Sequence, residues 1–297
     1  MHRIFFSGAL LSVSGAKNCY HDEKCCPSPG LIFRGMICKL FILDTTPATI
    51  CLTTPLLRNI AVHSNRGFPV CYLTRKRYLT VNTAFSGNIS ADSPVIWRGW
   101  MLTGKEYRHL HHAVTTCGGN MLVSPEEYLQ NHHITGWYDF CRHYTAETIF
   151  TTEDADFDTL TSQLKWPGYF VKDYVKSLTT SRGSLAANAD EIREIIRLIF
   201  RYRGQIEGGI SLRHYEYYKT DSERRYFVLN GQAFSADDNI PPVVREIADI
   251  ITTPFFSVDI TENTAGELRL IEIGDGQVSD IKEWDTEKFI TLFSGAD

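Results

Sequence analysis

Two strand-like runs near the end of the chain, FFSVDI (255–260) and ELRLIEIG (267–274), separated by the polar TENTAG, restrict its fold more than any other feature. Side chains alternate along a strand, so Phe255, Ser257 and Asp259 share one face, and Leu268, Leu270 and Glu272 share one. A turn centred on TENTAG brings Asp259 and Glu272 onto neighbouring strands of a hairpin, among large apolar residues. Two carboxylates so placed repel and lose hydration unless a cation or protons offset the cost. A hard, oxygen-seeking ion such as Mg²⁺ meets that need. The sequence GDGQ follows at once and adds Asp275 and Gln277 as oxygen donors at a tight turn. Carboxylates that point to solvent or pair with arginines satisfy the same pattern.

Cations occur in similar surroundings. In GYFVKDYVKS (168–177), Lys172 and Lys176 are four apart and share a side of a strand. Two ammonium groups on one buried side need anions, and the phosphates of a nucleotide serve; lysines at a solvent edge are the alternative. A loop of small and hydroxylated residues (179–184) follows, of a kind whose backbone closes over phosphates. Arg213, in ISLRHYEY, and Arg225, in ERRYFVLNG, lie in strand-like runs, where arginine pairs with a carboxylate or an anionic ligand. Glu216 ends the first of these runs.

The rest of the chain alternates strands and helices. The runs FPVCYL (68–73), SPVIWRGW (93–100) and NMLVSP (120–125) read as strands. Between the last two, Tyr107, Leu110, His111 and Val114 fall on one helical face. Helices are also expected at 157–164, at 188–203, where five apolar residues repeat at helical spacing before Gly204, and from Pro241 onward. The runs 208–218 and 224–231 read as antiparallel strands joined by a polar turn. Residues 1–57 have little periodicity. Two stretches within them, 37–43 and 48–52, are strand candidates, and the whole is expected to be an irregular N-terminal extension. A small α/β unit then spans 58–150, and two α+β lobes span 151–297.

With 30 Lys and Arg against 35 Asp and Glu, the net charge of −5 argues against nucleic-acid binding by bulk charge. Apolar runs are too short to span a membrane. Six of eight cysteines precede residue 72, without the density of a secreted disulfide scaffold, so a reducing, cytoplasmic setting is expected. The N-terminal 16 residues make only a poor signal peptide, with one Arg and an interrupted apolar run. The histidines at 109, 111, 112, 132 and 133 lack partners at a familiar zinc spacing. Gly104-Lys105 lacks the remainder of a P-loop.

The order is lysines, small-residue loop, helix, strand ending in Glu, Arg strand, then Asp strand beside Glu strand. It resembles the ATP-grasp superfamily. VIWRGWML, VSPEEY, VKDYVKS, FFSVDI and IEIGDGQVS are similar to its R-two-K clade, third family, known largely from bacterial and phage genomes. The resemblance spans about residues 60–284. It implies an α/β fold of α+β lobes with a nucleotide between antiparallel sheets, and ATP and Mg²⁺ as cofactors. It assigns Lys172, with Lys176 as a second contact, to the nucleotide phosphates, and Glu216 to the ribose or adenine end. Arg225 steadies the transferred phosphate; Asp259 and Glu272 bind the metal. Arg213 is taken with the nucleotide site. Gly274 stands where the superfamily places a metal-ligating Asn, which leaves Asp275 or Gln277 as third ligand. Arg98, between two tryptophans, falls on the substrate side. The implied activity is ligation of a small-molecule or peptide carboxylate to an amine through an acylphosphate. A phosphotransferase and a nucleotide-binding module without turnover remain open.

Overall fold

The computed structural model describes residues 39–44, 70–74, 94–99, 101–175, 177, 180 and 182–293. Strands β1 (Lys39–Asp44), β2 (Val70–Thr74), β3 (Pro94–Arg98) and β4 (Asn120–Met121) form a parallel sheet in the order β2-β1-β3-β4. Helix α1 (Gly104–Thr116) connects β3 to β4. It starts where Thr103 and Glu106 satisfy each other's backbone N–H groups, and the chain leaves it through Gly118 at a φ of 83°. Strand β1 lies inside the stretch expected to be an irregular extension. It is hydrogen-bonded on both sides, to β2 and β3, so the strand candidate at 37–43 is an inner strand over Lys39–Asp44.

Helices α2 (Pro125–His132) and α3 (Ile134–Cys141) follow, the first with a reciprocal Ser124–Glu127 cap and Pro125 in its first turn. Next come β5 (Thr148–Thr151), α4 (Phe157–Leu164), β6 (Tyr169–Asp173), β7 (Leu185–Ala186), α5 (Ala189–Arg203) and β8 (Ile210–His214). The four strands make an antiparallel sheet, β5-β8-β6-β7. Asn188 caps α5, and Gly204 ends it at a φ of 76°. Ile192, Ile195, Ile196 and Ile199 pack with Phe157, Val171 and Leu212, covering one face of this sheet. The other face carries Phe170 opposite Arg213 and Lys172 opposite Ser211. Strand β6 ends at Asp173, and Ser177 returns to pair with Lys172. The expectation of one strand through residue 177 is therefore corrected.

The third sheet is β10-β9-β11-β12, built from β9 (Arg224–Leu229), β10 (Gln232–Phe234), β11 (Phe255–Glu262) and β12 (Leu268–Asp275). Helix α6 (Pro242–Ile250) precedes β11, and α7 (Thr286–Thr291) follows β12. The back face of the sheet is apolar. Tyr226, Val228, Phe256, Val258, Ile260, Leu270 and Ile273 form one core with Ile134, Trp137, Val244 and Ile247. Each such buried side chain contributes about 1.5–3 kcal/mol. On the front face, Phe227, Leu229 and Phe255 pack with Trp97, Tyr107 and Trp284, which joins the parallel unit to this sheet.

Two pairing expectations are overturned. β8 and β9 are not a hairpin; they belong to different sheets. Residues 215–223 are too long for a tight hairpin turn. They cross between the sheets instead, held where the Lys219 N–H donates to the Glu262 carbonyl and the Thr264 N–H to the Tyr217 carbonyl. Second, the β11–β12 register slips after Asp259, which pairs with Glu272, whereas Ile260 pairs with Leu270. Ile271 is the extra residue of a bulge. Leu270 and Glu272 therefore do not share a face: Leu270 is buried in the back core, and Glu272 turns to the front.

Candidate active site

The front face of the third sheet opposes the Lys172 face of the second, and charged side chains meet between them. Lys172 Nζ donates to Glu272 Oε1 at 2.6 Å, joining β6 to β12. Lys172 is buried, which on an apolar strand requires such a partner. Arg213 on β8 donates through Nη1 to the Ile271 carbonyl at 2.7 Å, the group that the bulge leaves outside the ladder. Burial lowers the Arg213 guanidinium below its usual value, and its Nη2 has no hydrogen-bond partner.

Across β9, β11 and β12 the cross-strand row reads Arg225, Asp259, Glu272. Arg225 grips Asp259 with two parallel bonds, Nε to Oδ1 at 2.7 Å and Nη2 to Oδ2 at 2.6 Å, the strong bidentate geometry. Burial pulls this guanidinium down, but Asp259 outweighs it and holds it above its ordinary value. Lys282, which the sequence reading did not single out, donates from Nζ to Asp259 Oδ2 at 3.0 Å and also pairs with Glu223. Its ammonium is likewise lowered by burial and raised above its usual value by Asp259 and Glu223. No local pattern in DIKEW marks it; only the fold of the chain after β12 brings it here.

The remaining candidates separate. Asp275 falls three residues beyond Glu272 on β12 and so faces the other way. It is fully buried, and its Oδ1 accepts from the Gln277 N–H at 3.0 Å and from Gln277 Nε2 at 3.3 Å; Oδ2 has no hydrogen-bond partner. Burial raises its carboxyl to about 7, against the Gln277 bonds and the charge of Arg98. Gln277 is equally occupied, accepting from the Trp97 N–H and donating to the Tyr107 hydroxyl. The expectation that either stands with Asp259 and Glu272 as a third metal ligand is corrected: Asp275 turns to the other face and bonds Gln277, and Gln277 ties the chain after β12 to the parallel unit. Arg98 does the same, donating to the carbonyls of Gly276, Gln277 and Ser279. At Gly274 a Cβ would meet the Ser257 and Ser279 hydroxyls within 3.0 Å, so a larger residue there requires those hydroxyls to move. Glu216 accepts from Arg269 at 2.9 and 3.0 Å and from the Tyr218 hydroxyl at 3.1 Å, outside this row. Lys176 lies outside the described residues.

Among the described residues no three carboxylate, histidine or cysteine side chains gather as a metal cage. Mg²⁺ needs no such cage, because it takes one or two carboxylates and completes its shell with substrate phosphates and water. Asp259 and Glu272, flanked by serine hydroxyls, fit that donor set. Three cations, Lys172, Arg225 and Lys282, are matched here by three carboxylates, Glu272, Asp259 and Glu223.

Residues 156–292 match the ATP-grasp domain of the R-two-K clade, family 3. No curated protein matches the chain by sequence. Among solved structures, it is similar to a RimK domain ATP-grasp protein from Sphaerobacter thermophilus, with 13% identity and a TM-score of 0.55 over 86% of this chain and 99% of that one. It is similar to the macrocyclase MdnC from Microcystis aeruginosa, bound with its precursor peptide, with 10% identity and a TM-score of 0.55 over 86% and 99%. A D-alanine–D-alanine ligase from Bacillus anthracis, complexed with ATP, is 12% identical with a TM-score of 0.52 over 86% and 95%. No helix among the described residues is long and apolar enough to cross a membrane. Two antiparallel sheets face each other across a charged seam, and the segment that matches the ATP-grasp domain of the R-two-K clade, family 3, contains that seam.

Proposed function

We propose that this chain is an ATP-dependent carboxylate–amine ligase. ATP phosphorylates a carboxylate of a small molecule or peptide; an amine then displaces phosphate from the acylphosphate and forms an amide, with ADP and phosphate as the other products. The observation that carries the reading is the Lys172–Glu272 contact between two sheets, beside the Arg225–Asp259 fork. Such chemistry depends on positioning and charge neutralisation more than on a nucleophilic side chain.

Lys172, with Lys176, holds the phosphate chain. Arg225 steadies the transferred phosphoryl group, for which a planar fork is suited. Arg213 adds positive charge where its Nη2 is unpartnered. Glu216, fixed by Arg269, retains lone pairs for a ribose hydroxyl or the adenine amine. Asp259 and Glu272 would hold Mg²⁺, which neutralises phosphate charge when bound.

The test is trapping with hydroxylamine. Purified protein, Mg-ATP and a panel of carboxylates, peptides included, should yield a hydroxamate and ADP in equal amounts. A stable phosphorylated product that hydroxylamine does not intercept assigns a phosphotransferase instead. Absence of ATP binding in a calorimeter overturns the reading altogether.

A further inference from the structure

Asp259 is more heavily engaged than a free metal ligand. Its side chain is buried, the Arg225 fork occupies both oxygens, and Lys282 adds an ammonium to Oδ2. Lys282 is delivered there by an anchored backbone. The Arg225 N–H donates to Glu283 Oε1 at 2.8 Å, and the Arg225 carbonyl accepts from the Trp284 indole at 2.8 Å. Arg225 Nη1 donates to the Asp280 carbonyl at 2.7 Å. Between these anchors Lys282 sits at a φ of 46°, in the left-handed region that costs a non-glycine residue energy unless its surroundings impose it. The ammonium has a second partner, Glu223, whose side chain is about half exposed at 48%.

A divalent ion held by Asp259 and an ammonium on the same carboxylate would repel each other strongly in a buried site. One of the two cations has to leave, and the flexible lysine, with Glu223 to receive it, can do so at less cost than the rigid bidentate arginine. Resting on the ligase reading above, we propose that Lys282 is the resident cation of Asp259, which Mg²⁺ must displace toward Glu223 before the site is loaded. Lys282 is thus a positioning residue that sets the metal affinity of the empty site.

The test measures metal binding without turnover. Free Mn²⁺ is followed by electron paramagnetic resonance during titration of the full chain, with and without the β,γ-imido analogue of ATP. Lys282→Met should bind Mn²⁺ about tenfold more tightly than wild type. Lys282→Gln, which keeps a donor to Asp259 without the charge, should show a gain of the same sign. In an Asp259→Asn background, where Glu272 still offers a ligand, Lys282→Met should change nothing. An unchanged or weakened affinity in both Lys282 variants overturns the proposal, as does a gain that persists with Asn at 259, which would be a general field effect. If no variant binds Mn²⁺ even with the analogue, the ATP reading fails and this inference fails with it.

Discussion

Glu272 and Asp275 are three residues apart on one strand and have opposite surroundings. Glu272 faces the front of the sheet, is more than a third exposed and meets a lysine from another sheet. Asp275 faces the back, is fully buried and has neutral Gln277 as its hydrogen-bonding partner. The contrast extends to the whole sheet. The back face is a continuous apolar core under α3 and α6, whereas the front carries the charged row of Arg225, Asp259 and Glu272. The back face serves the core throughout, whereas the front face divides between an apolar part, Phe227, Leu229 and Phe255, and the charged row of the proposed site. The bulge at Ile271 makes the division possible by turning Glu272 away from the face that Leu270 and Ile273 complete.

The two faces should respond differently to mutation. On the back, Phe256→Ala removes a fully buried ring and should cost about 3–5 kcal/mol in urea unfolding. Mg-ATP, bound on the other face, should stabilise this variant and wild type by equal increments. A loss below about 1 kcal/mol would show that the back core is not close-packed.

Asp275 gives the next largest effect. Its carboxyl titrates near 7 in the folded chain, against about 3.9 in an unfolded one. Between these values the folded chain retains a proton that the unfolded chain has released, so stability falls as pH rises from about 4 to about 7 and is flat above. At about 1.4 kcal/mol per pH unit, the limb is on the order of 4 kcal/mol. Asp275→Asn should remove it. The variant and wild type should be similar at pH 4, and the variant should be the more stable at pH 8. A wild-type-minus-variant difference that does not change with pH would mean that Asp275 is ionised throughout.

These predictions depend on features that the sequence reveals unevenly. Helix boundaries were legible because Thr103, Asn188 and Gly204 are local signals. Ser124 and Glu127 carry the same signal in VSPEEY, but the reading of 120–125 as a strand passes over it; only Asn120–Met121 is strand, and a helix starts at Pro125. The pairing of Asp259 with Glu272 was legible because a hairpin fixes register over a short distance. The bulge was not, since no glycine or proline announces the extra residue at Ile271. Nor was the assignment of β8 and β9 to separate sheets, which depends on partners about 40 residues away for β8 and 30 for β9. Lys282 is the clearest miss. Beside Asp280 and Glu283 it reads as surface charge, and only the left-handed turn clamped to β9 carries it to Asp259.

Removal of Asp259 itself should cost somewhat less than the loss on the back face. Asp259→Ala leaves Arg225 and Lys282 facing each other without their shared carboxylate, a change that costs about 3 kcal/mol when a buried pair is broken. Because the penalty is repulsion, sulfate or ATP should restore much of it, as neither can for Phe256→Ala. Thermal melts with and without 10 mM-scale sulfate, roughly the range in which weak anion sites fill, separate the two. A sulfate response equal to that of wild type would remove the charge explanation.

The smallest effect on stability, and the sharpest separation of fold from function, is expected at Lys172. Its ammonium meets Glu272, and Glu272 reaches solvent, so losing the contact leaves a carboxylate that water can hydrate. Lys172→Met keeps the length and the apolar stem, which packs on a strand whose opposite face holds Val171 in the core. Stability should therefore change by less than about 1 kcal/mol, as for other partly exposed ion pairs. ATP affinity should nevertheless fall by about 1.5–3 kcal/mol, the value of a hydrogen bond to a charged group. Calorimetric titration and urea unfolding of the same preparation give both numbers. If the two losses are similar, Lys172 is a structural strut between the sheets, and the phosphate contact belongs to another cation. If affinity falls while the unfolding curve stays in place, the front face has tolerated the removal of a charge that the back face could not have held, because only the front face is built to exchange its ionic partners.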